Sequence, residues 1–409
     1  MELCKIIWRN IWRNPRRTLI TMASVFFAVF FCVLMMSFQA GTFGRMIDNM
    51  LRTQTGHIQI HGKGYWEDRV IDNFMFMDAT TINQLEGISN VENVSPRVET
   101  FALAASAAMS KGVAVIGISP VRETQKSNLP SRLVSGQYLS ETDDGILIGA
   151  GLAKYLKANI GDTLALIGQG YHGASAAALF PIRGILKLIT PEMDNALAYI
   201  TLTAAQQFID MPDGYSGFLI SINDNKSLSE TISDIRILLS NKHVNYEKYE
   251  ILSWHFTMER LLQQAESDKA IGVVLLFILY VIVGFGILGT VIMMTNERKR
   301  EFSMMISLGM SRRKLATITV IELFIMSLIG VVLAFAVTLP VTHWFSAYPI
   351  ELSGDMADML SQYGMEPVLP MSVEASIFTD QITTVLTIVV LTATYPVRKI
   401  LKLTLSKNR

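Results

Sequence analysis

The chain has 409 residues, 50% of them hydrophobic and 17% charged, with 35 basic and 35 acidic residues and a formal net charge of +0. A charged fraction below the roughly 25% of soluble domains, in a chain long enough for more than one domain, points to a membrane. The basic residues gather at the edges of apolar runs, where topology and anionic lipid account for them, so no nucleic-acid partner is expected.

Residues 1–18 open the chain as an amphipathic segment. Ile7, Trp8, Ile11 and Trp12 share one helical side and Lys5, Arg9 and Arg13 the other, the pattern of a cytoplasmic helix lying in the membrane interface. Pro15 marks a bend. Four apolar runs then approach the roughly 20 residues needed to cross a bilayer core: 19–38, 270–294, 315–338 and 377–395. The first follows basic residues as a signal peptide does, but Phe38-Gln39-Ala40 lacks the small-x-small cleavage pattern, so it is read as a span.

Residues 39–269 are mixed, charged and punctuated by turns, which predicts a folded extracytoplasmic α/β domain with a stalk helix at each end. GTFGRMIDNMLRTQ is the outgoing stalk and HFTMERLLQQAESDKA the returning one. Between them, TTINQLEGISNVENVSPRVETFALAAS reads as helix, turn and strand, and GVAVIGIS as a strand. GILIGAGLAKYLKANIGDTLALIG reads as strand, helix, Gly-Asp turn and strand; GFLISIND, SLSETISDIRILLSN and EKYEILSW read as strand, helix and strand. GQGYHGASAAALF joins two strands as a mobile hairpin. Both cysteines, Cys4 and Cys32, lie outside this domain, so it has no disulfide.

Charge sets the expected orientation. Lys and Arg cluster in 1–18, in a connector at 295–314 and in a tail at 396–409. The loop 339–376 has no Lys or Arg between His343 and Ser376 but carries Glu351, Asp355, Asp358, Glu366 and Glu374. Both termini are therefore predicted to be cytoplasmic and the large domain outside.

The connector holds the densest chemistry, NERKREFSMMISLGMSRRKL. On a short helix along the membrane Phe302, Met305 and Ile306 share a face, Gly309 is a suitable stop, and Ser311 caps the next helix. The result is a knob with an apolar face and a charged rim that fits another protein's groove. The alternative is that the charges only obey the positive-inside rule and the apolar face meets lipid.

ERKREFSMMISLGMSRRKLATITVIE resembles the most characteristic segment of the FtsX-like permease superfamily, which includes the lipoprotein-releasing and macrolide-exporter permeases. WRNIWRNPRRTLIT resembles its entry into the first span and YPVRKILKLT its exit from the fourth. GAGLAKYLKANIGDTLAL and FPIRGILKLITPEMDNALAYITLTAAQQFI resemble its extracytoplasmic core domain, so nearly the whole chain is covered.

The resemblance implies an α-helical membrane protein with four transmembrane helices and a large mixed α/β periplasmic core domain. It implies an ABC transporter permease of the mechanotransmission type, which passes cytoplasmic ATPase motion to the outside. The implied docking residues are Glu297, Arg298, Arg300, Glu301, Phe302, Ile306, Leu308 and Gly309. The lipoprotein-releasing branch is favoured over the division-type proteins by the separate ATPase and the size of the external domain. The implied setting is a bacterial inner membrane, with a second identical or related permease chain and an ATPase dimer. Cargo would be lipoproteins, passed to a periplasmic carrier.

In that branch the region of Gly168 to Phe180 carries a carrier-binding hook; here it is short, and Tyr171 and His172 are its candidate contacts. Met35, Met36, Phe38 and Met46 are candidate contacts for an acyl chain. One rival is macrolide-exporter-like efflux of drugs or peptides through an adaptor and outer-membrane duct. Another is transmembrane signalling to a periplasmic enzyme.

No G-x-x-x-x-G-K-[ST] is present, so no enzyme and no cofactor are expected in this chain, and ATP and Mg belong to the partner. Gly284, Gly286 and Gly289 spell G-x-G-x-x-G inside the second span with no strand before them; close helix packing is the better account. Glu322, an acid inside the third span, is expected to reach basic residues near the cytoplasmic surface. Pro340 is expected to end or kink that helix. His57 and His61 are about 13 Å apart on one strand face, too far to share an ion, so no metal is expected.

Overall fold

The computed structural model describes residues 9, 11–13, 15–107, 109–188, 190–241, 248–354, 356–357, 359 and 368–402. The chain forms two compact units: 1–45, 263–351 and 368–409 make one, and 46–262 with 352–367 the other. Most of the expected interfacial helix lies outside the described residues; Ile11 is buried and Trp12 exposed in a helical stretch.

Among the described residues four stretches are helical, long and apolar enough to cross a membrane: Thr18–Thr55, Ala270–Glu297, Arg312–Ala347 and Ala375–Leu401. The first belongs to a helix Pro15–Met50 that continues as a π turn, Leu51–Thr55, and the second to a helix Glu259–Glu297. Val25, Val29 and Val33 of the first helix pack with Ile287 and Val291 of the second, Leu323 and Met326 of the third, and Val385 and Val389 of the fourth. The fourth carries Arg398 and Lys399 in its last turn, where they face the negative end of the helix dipole.

One expectation for this unit is corrected and one is narrowed. Gly284, Gly286 and Gly289 of the second helix are not where the described helices of this chain approach. A Cβ on Gly286 or Gly289 would meet nothing within 4 Å, and one on Gly284 would meet only Ile388, at 3.6 Å. Close approach occurs instead at Gly330, where a Cβ would stand 2.8 Å from the Met22 carbonyl oxygen. Nor does Pro340 end its helix, which runs on to Ala347. A proline removes a single donor from the ladder, and the hydroxyls of Thr338 and Thr342 bond the Ala334 and Leu339 carbonyls beside it.

The second unit is built on strands β1 Ile58–Gly62, β2 Met75–Phe76, β3 Val91–Ala105, β4 Ser110–Ile118, β5 Leu133–Gly136 and β6 Ile146–Gly149. They are followed by β7 Thr163–Gln169, β8 Ser175–Leu186, β9 Leu197–Thr201, β10 Gly214–Tyr215, β11 Gly217–Ile222 and β12 Tyr249–Ser253. Among the described residues the main sheet runs β12-β1-β11-β3-β4-β9-β6-β8-β5, and β2 pairs β10 separately. β7 pairs with β3 on one side and β8 on the other. The central part therefore closes into a ring, β3, β4, β9, β6, β8, β7 and back to β3. β4 with β9 and β6 with β8 are its parallel pairs.

Alternation along these strands sends one set of side chains into the ring. Val98, Val115, Ile148, Leu166, Phe180 and Ile200 are buried together there. Ala-rich β8 fits because small side chains leave room for Phe180 and Phe208, whose rings meet edge to face at 6.2 Å. The expected hairpin is present as β7 paired antiparallel with β8: most of GQGYHGASAAALF is strand, and Gly170–Ala174 is its turn. Helix Leu228–Asn241 and strands β1 and β11 enclose a neighbouring core around Ile58, Ile60, Phe218 and Ile235.

Candidate functional site

The second long helix ends at Glu297, and after Arg298 a short helix, Lys299–Ser307, begins. Gly309 stops it with φ 94°, a left-handed value that suits a residue without a Cβ. The Gly309 and Met310 amides donate to the Ile306 and Met305 carbonyls at 3.0 and 3.1 Å. Ser311 then caps the third long helix by accepting from the Lys314 amide.

The apolar face of the short helix points inward. Phe302 is 1% exposed and packs with Leu315, Ala316 and Ile400, with Met305 and Ile306 half-buried beside it. Arg298 is also buried. Its guanidinium pairs with Glu322, itself 2% exposed, and with Glu301 at 3.3 Å, and it lies 5.3 Å from the centre of the Phe302 ring. Arg13 reaches Glu301, Lys399 reaches Asn296, and Arg312 donates to the Leu401 carbonyl at 3.2 Å.

Of the sequence-derived contacts, Arg298, Phe302 and Ile306 thus brace the knob from within: removing the Phe302 ring from water favours the inward face, and Arg298 is tolerated there because Glu322 and Glu301 pair it. Glu297, Arg300, Leu308 and Gly309 are on its exposed surface and Glu301 is half-buried. Leu308, 82% exposed, and Met304, 64% exposed, form the outward apolar part; sequence periodicity passed over Met304.

The remaining candidates lie elsewhere. Met35, Met36 and Phe38 are half-buried on the first long helix, Met36 against the helical core, and Met46 is half-buried further along it. Tyr171 and His172 form the tip between β7 and β8. The Tyr171 amide donates to the Ile209 carbonyl at 2.7 Å and its ring packs on the barrel core, while exposed His172 lies 3.9 Å from Asp72. His61 is a satisfied core residue, with ring nitrogens 2.7 Å from the Ser216 carbonyl and 2.8 Å from Gln59 Oε1; burial holds its pKa below the ordinary value.

Sequence reading missed a charged cluster within the second unit. Arg97 on β3 meets Glu123 on the helix Pro120–Ser127 at 3.0 and 3.1 Å, and Lys126 lies beside them. All three are buried. Burial works against the Glu123 carboxylate, but Arg97, Lys126 and the Ser127 hydroxyl together hold its pKa below the ordinary range. Burial, reinforced by Arg97, pushes the Lys126 ammonium down to about 7. Among the described residues its Nζ makes no hydrogen bond. The available signal was an i, i+3 pair of opposite charges on the helix Pro120–Ser127; on β3 Arg97 alternates with Ser95 and Glu99, the pattern of a solvent face.

The sign of the resulting pH dependence is definite. Between about 7 and the ordinary 10.5 the unfolded chain holds a proton on Lys126 that the folded one does not. Stability from this group therefore rises with pH across that window, by about 1.4 kcal/mol per unit, and the group is a constant cost below it. Lys126→Met is expected to flatten that slope and raise the unfolding temperature at neutral pH. Thermal unfolding of the full chain in nanodiscs at pH 6.5, 8 and 9 checks it; parallel profiles for both chains would contradict it.

Residues 18–238 match the model of the MacB-like periplasmic core domain, and residues 273–405 that of the FtsX-like permease C-terminal region. The chain belongs to the FtsX/MacB-type ABC transporter permeases. It is 24% identical over 233 residues to the lipoprotein-releasing system transmembrane protein LolE of Haemophilus influenzae. The match covers 55% of this chain and 54% of that protein, so the chain spans about half the length of this curated relative.

Two solved structures are similar. The extracellular domain of the ABC-type transporter YknZ from Gram-positive bacteria is 14% identical with TM-score 0.37, covering 48% of this chain and 100% of that one. The periplasmic region of MacB from Actinobacillus actinomycetemcomitans is 15% identical with TM-score 0.39, covering 53% and 97%.

Proposed function

We propose that this permease takes energy from a separate cytoplasmic ATPase dimer through the knob at 297–309 and passes it to its external domain, to release lipoproteins from the inner membrane. Both termini then face the cytoplasm, ATP and Mg are bound by the partner, and a second identical or related permease completes the membrane assembly. An exposed Leu308 on a short helix that is braced from within carries this reading. A residue so apolar and so exposed, with exposed Lys299 and Arg300 before it in the chain and exposed Arg313 and Lys314 after it, has the composition of a contact core with a charged margin.

The lipoprotein cargo is supported by the similarity to LolE, a transmembrane protein of a lipoprotein-releasing system. Met35, Met36, Phe38 and Met46 are the proposed acyl-chain contacts, and Tyr171 and His172 those of a periplasmic carrier.

The bracing makes two substitutions separable. Leu308→Asp is expected to weaken ATPase retention at least about tenfold, as loss of a central apolar contact does, with the unfolding temperature unchanged. Phe302→Asp is expected to lower that temperature as well, because it buries a charge against Leu315 and Ile400. Affinity purification from native membranes with mass spectrometry reads retention of ATPase, lipoproteins and carrier. Undiminished ATPase retention by Leu308→Asp would rule out the docking role, and an adaptor and outer-membrane duct in place of lipoproteins would replace the cargo.

A further inference from the structure

A long helix that stops leaves its last carbonyls without intrahelical partners, and its dipole collects negative potential there. The helix starting at Pro15 stops in the second unit with the turn Leu51–Thr55, where the Gly56 amide closes back on the Leu51 carbonyl at 2.9 Å. Two carbonyls beyond that closure are taken by a side chain from the sheet. Arg97 Nη1 donates to the Gln54 carbonyl at 3.2 Å and Nη2 contacts the Thr53 carbonyl at 3.5 Å.

The same Nη2 donates to both oxygens of Glu123, at 3.0 and 3.1 Å. Arg97 is thus shared among a helix end, a sheet strand and the helix Pro120–Ser127, with its side chain 5% exposed. A planar guanidinium suits this because it sends donors in several fixed directions at once, whereas a lysine ammonium is a single point at the end of a flexible stem. A cleft of about 370 Å³ opens at the same place, lined by Gln54, Arg97 and Glu99 together with apolar Met50, Phe101 and Met258. Leu51 anchors the turn in the apolar core around Ile58 and Phe218, and on the side of this cleft the guanidinium holds the carbonyls of Thr53 and Gln54.

We propose that Arg97 is the positioning residue that ties the end of the first long helix to the sheet, so that displacement of the helix is delivered to β3 and the closed ring rather than lost at the turn. This deepens the energy-transmitting reading above and rests on it. Glu123 holds the guanidinium in place from the far side. Arg97→Lys is then a folded variant that still balances Glu123 but cannot span both carbonyls and the carboxylate.

The test is hydrogen exchange on the full chain in nanodiscs with its copurified ATPase, with and without ATP. For Arg97→Lys, amides of the turn Leu51–Thr55 are expected to exchange at least about tenfold faster, while β3 and β4 keep wild-type protection. The ATP-dependent change in exchange of the ring, present in wild type, is expected to disappear. Glu123→Gln, which weakens the hold on the guanidinium, is expected to give the same pattern in milder form.

Wild-type protection of the turn in Arg97→Lys would overturn the proposal, because charge balance would then be all that Arg97 supplies. A loosened turn with an intact ATP response would overturn the coupling role. A wild-type chain without any ATP response would overturn both the coupling role and the energy-transmitting reading beneath it, and that failure is seen before any variant is made.

Discussion

Arg298→Met is expected to destabilise the helical unit by about 3–5 kcal/mol, the usual penalty for stripping one partner from a buried ion pair. Glu322 is 2% exposed on the third long helix, and its carboxylate would be left without the guanidinium that enters from the end of the second. The penalty should also reach the knob, because Arg298 lies against the Phe302 ring and bonds Glu301. Glu322→Gln should cost less, since Arg298 keeps Glu301. The double variant Arg298→Met with Glu322→Met should recover much of the lost stability, since apolar groups of similar size replace a buried pair at little net cost. Unfolding of the full chain in nanodiscs measures all three. A double variant as unstable as Arg298→Met would show that the pair's mutual attraction is not what holds this junction.

A second large effect is expected at Asp194, which is 3% exposed in the external unit. Its Oδ1 accepts from the Leu188 and Ala150 amides at 3.0 and 3.2 Å. Its Oδ2 accepts from the Gly151 amide at 3.0 Å and from Lys187 Nζ at 3.2 Å. One carboxylate therefore satisfies the start of the helix Ala150–Leu156 and the chain leaving β8. Gly149 permits this approach: a Cβ there would stand 2.1 Å from the Asp194 carbonyl oxygen.

Asp194→Ala strands three amide donors and should cost about 3–5 kcal/mol on typical penalties for unsatisfied buried groups. Asp194→Asn should be nearly as costly, because its NH2 would face amide donors. Hydrogen exchange over Ala150–Leu156 in the full chain reads the effect locally. A loss below about 1 kcal/mol for Asp194→Ala would mean that water replaces the carboxylate at this junction.

Four apolar runs and an α/β domain were legible in the sequence because hydrophobic length and alternation are local signals. So were the Gly309 stop and the Ser311 cap, which depend only on the residue at the position. Closure of the ring was not. It depends on Ala102 to Ala105 pairing with Ala165 to Gly168, segments some 60 residues apart, and neither alternation pattern names its partner. The inward turn of Phe302 was hidden for a similar reason. Periodicity put Phe302, Met305 and Ile306 on one face but left open whether the protein or a partner covers it, and Leu315, Ala316 and Ile400 do so. Arg97 and Glu123 were legible only as surface charges until the fold brought them together.

The turn Gly170–Ala174 also has a bearing on how such a domain diversifies. It caps the β7–β8 ladder, whose β7 is paired to β3 over Ala165 to Gly168, and the Tyr171 amide is fastened to Ile209 at its base. Residues added after His172 would meet only the slowly growing entropy of a longer loop, with no hydrophobic contact to break. This end of the barrel is thus a graft site, where a short peptide tag or a fluorophore can be carried into solvent while the scaffold beneath keeps its shape.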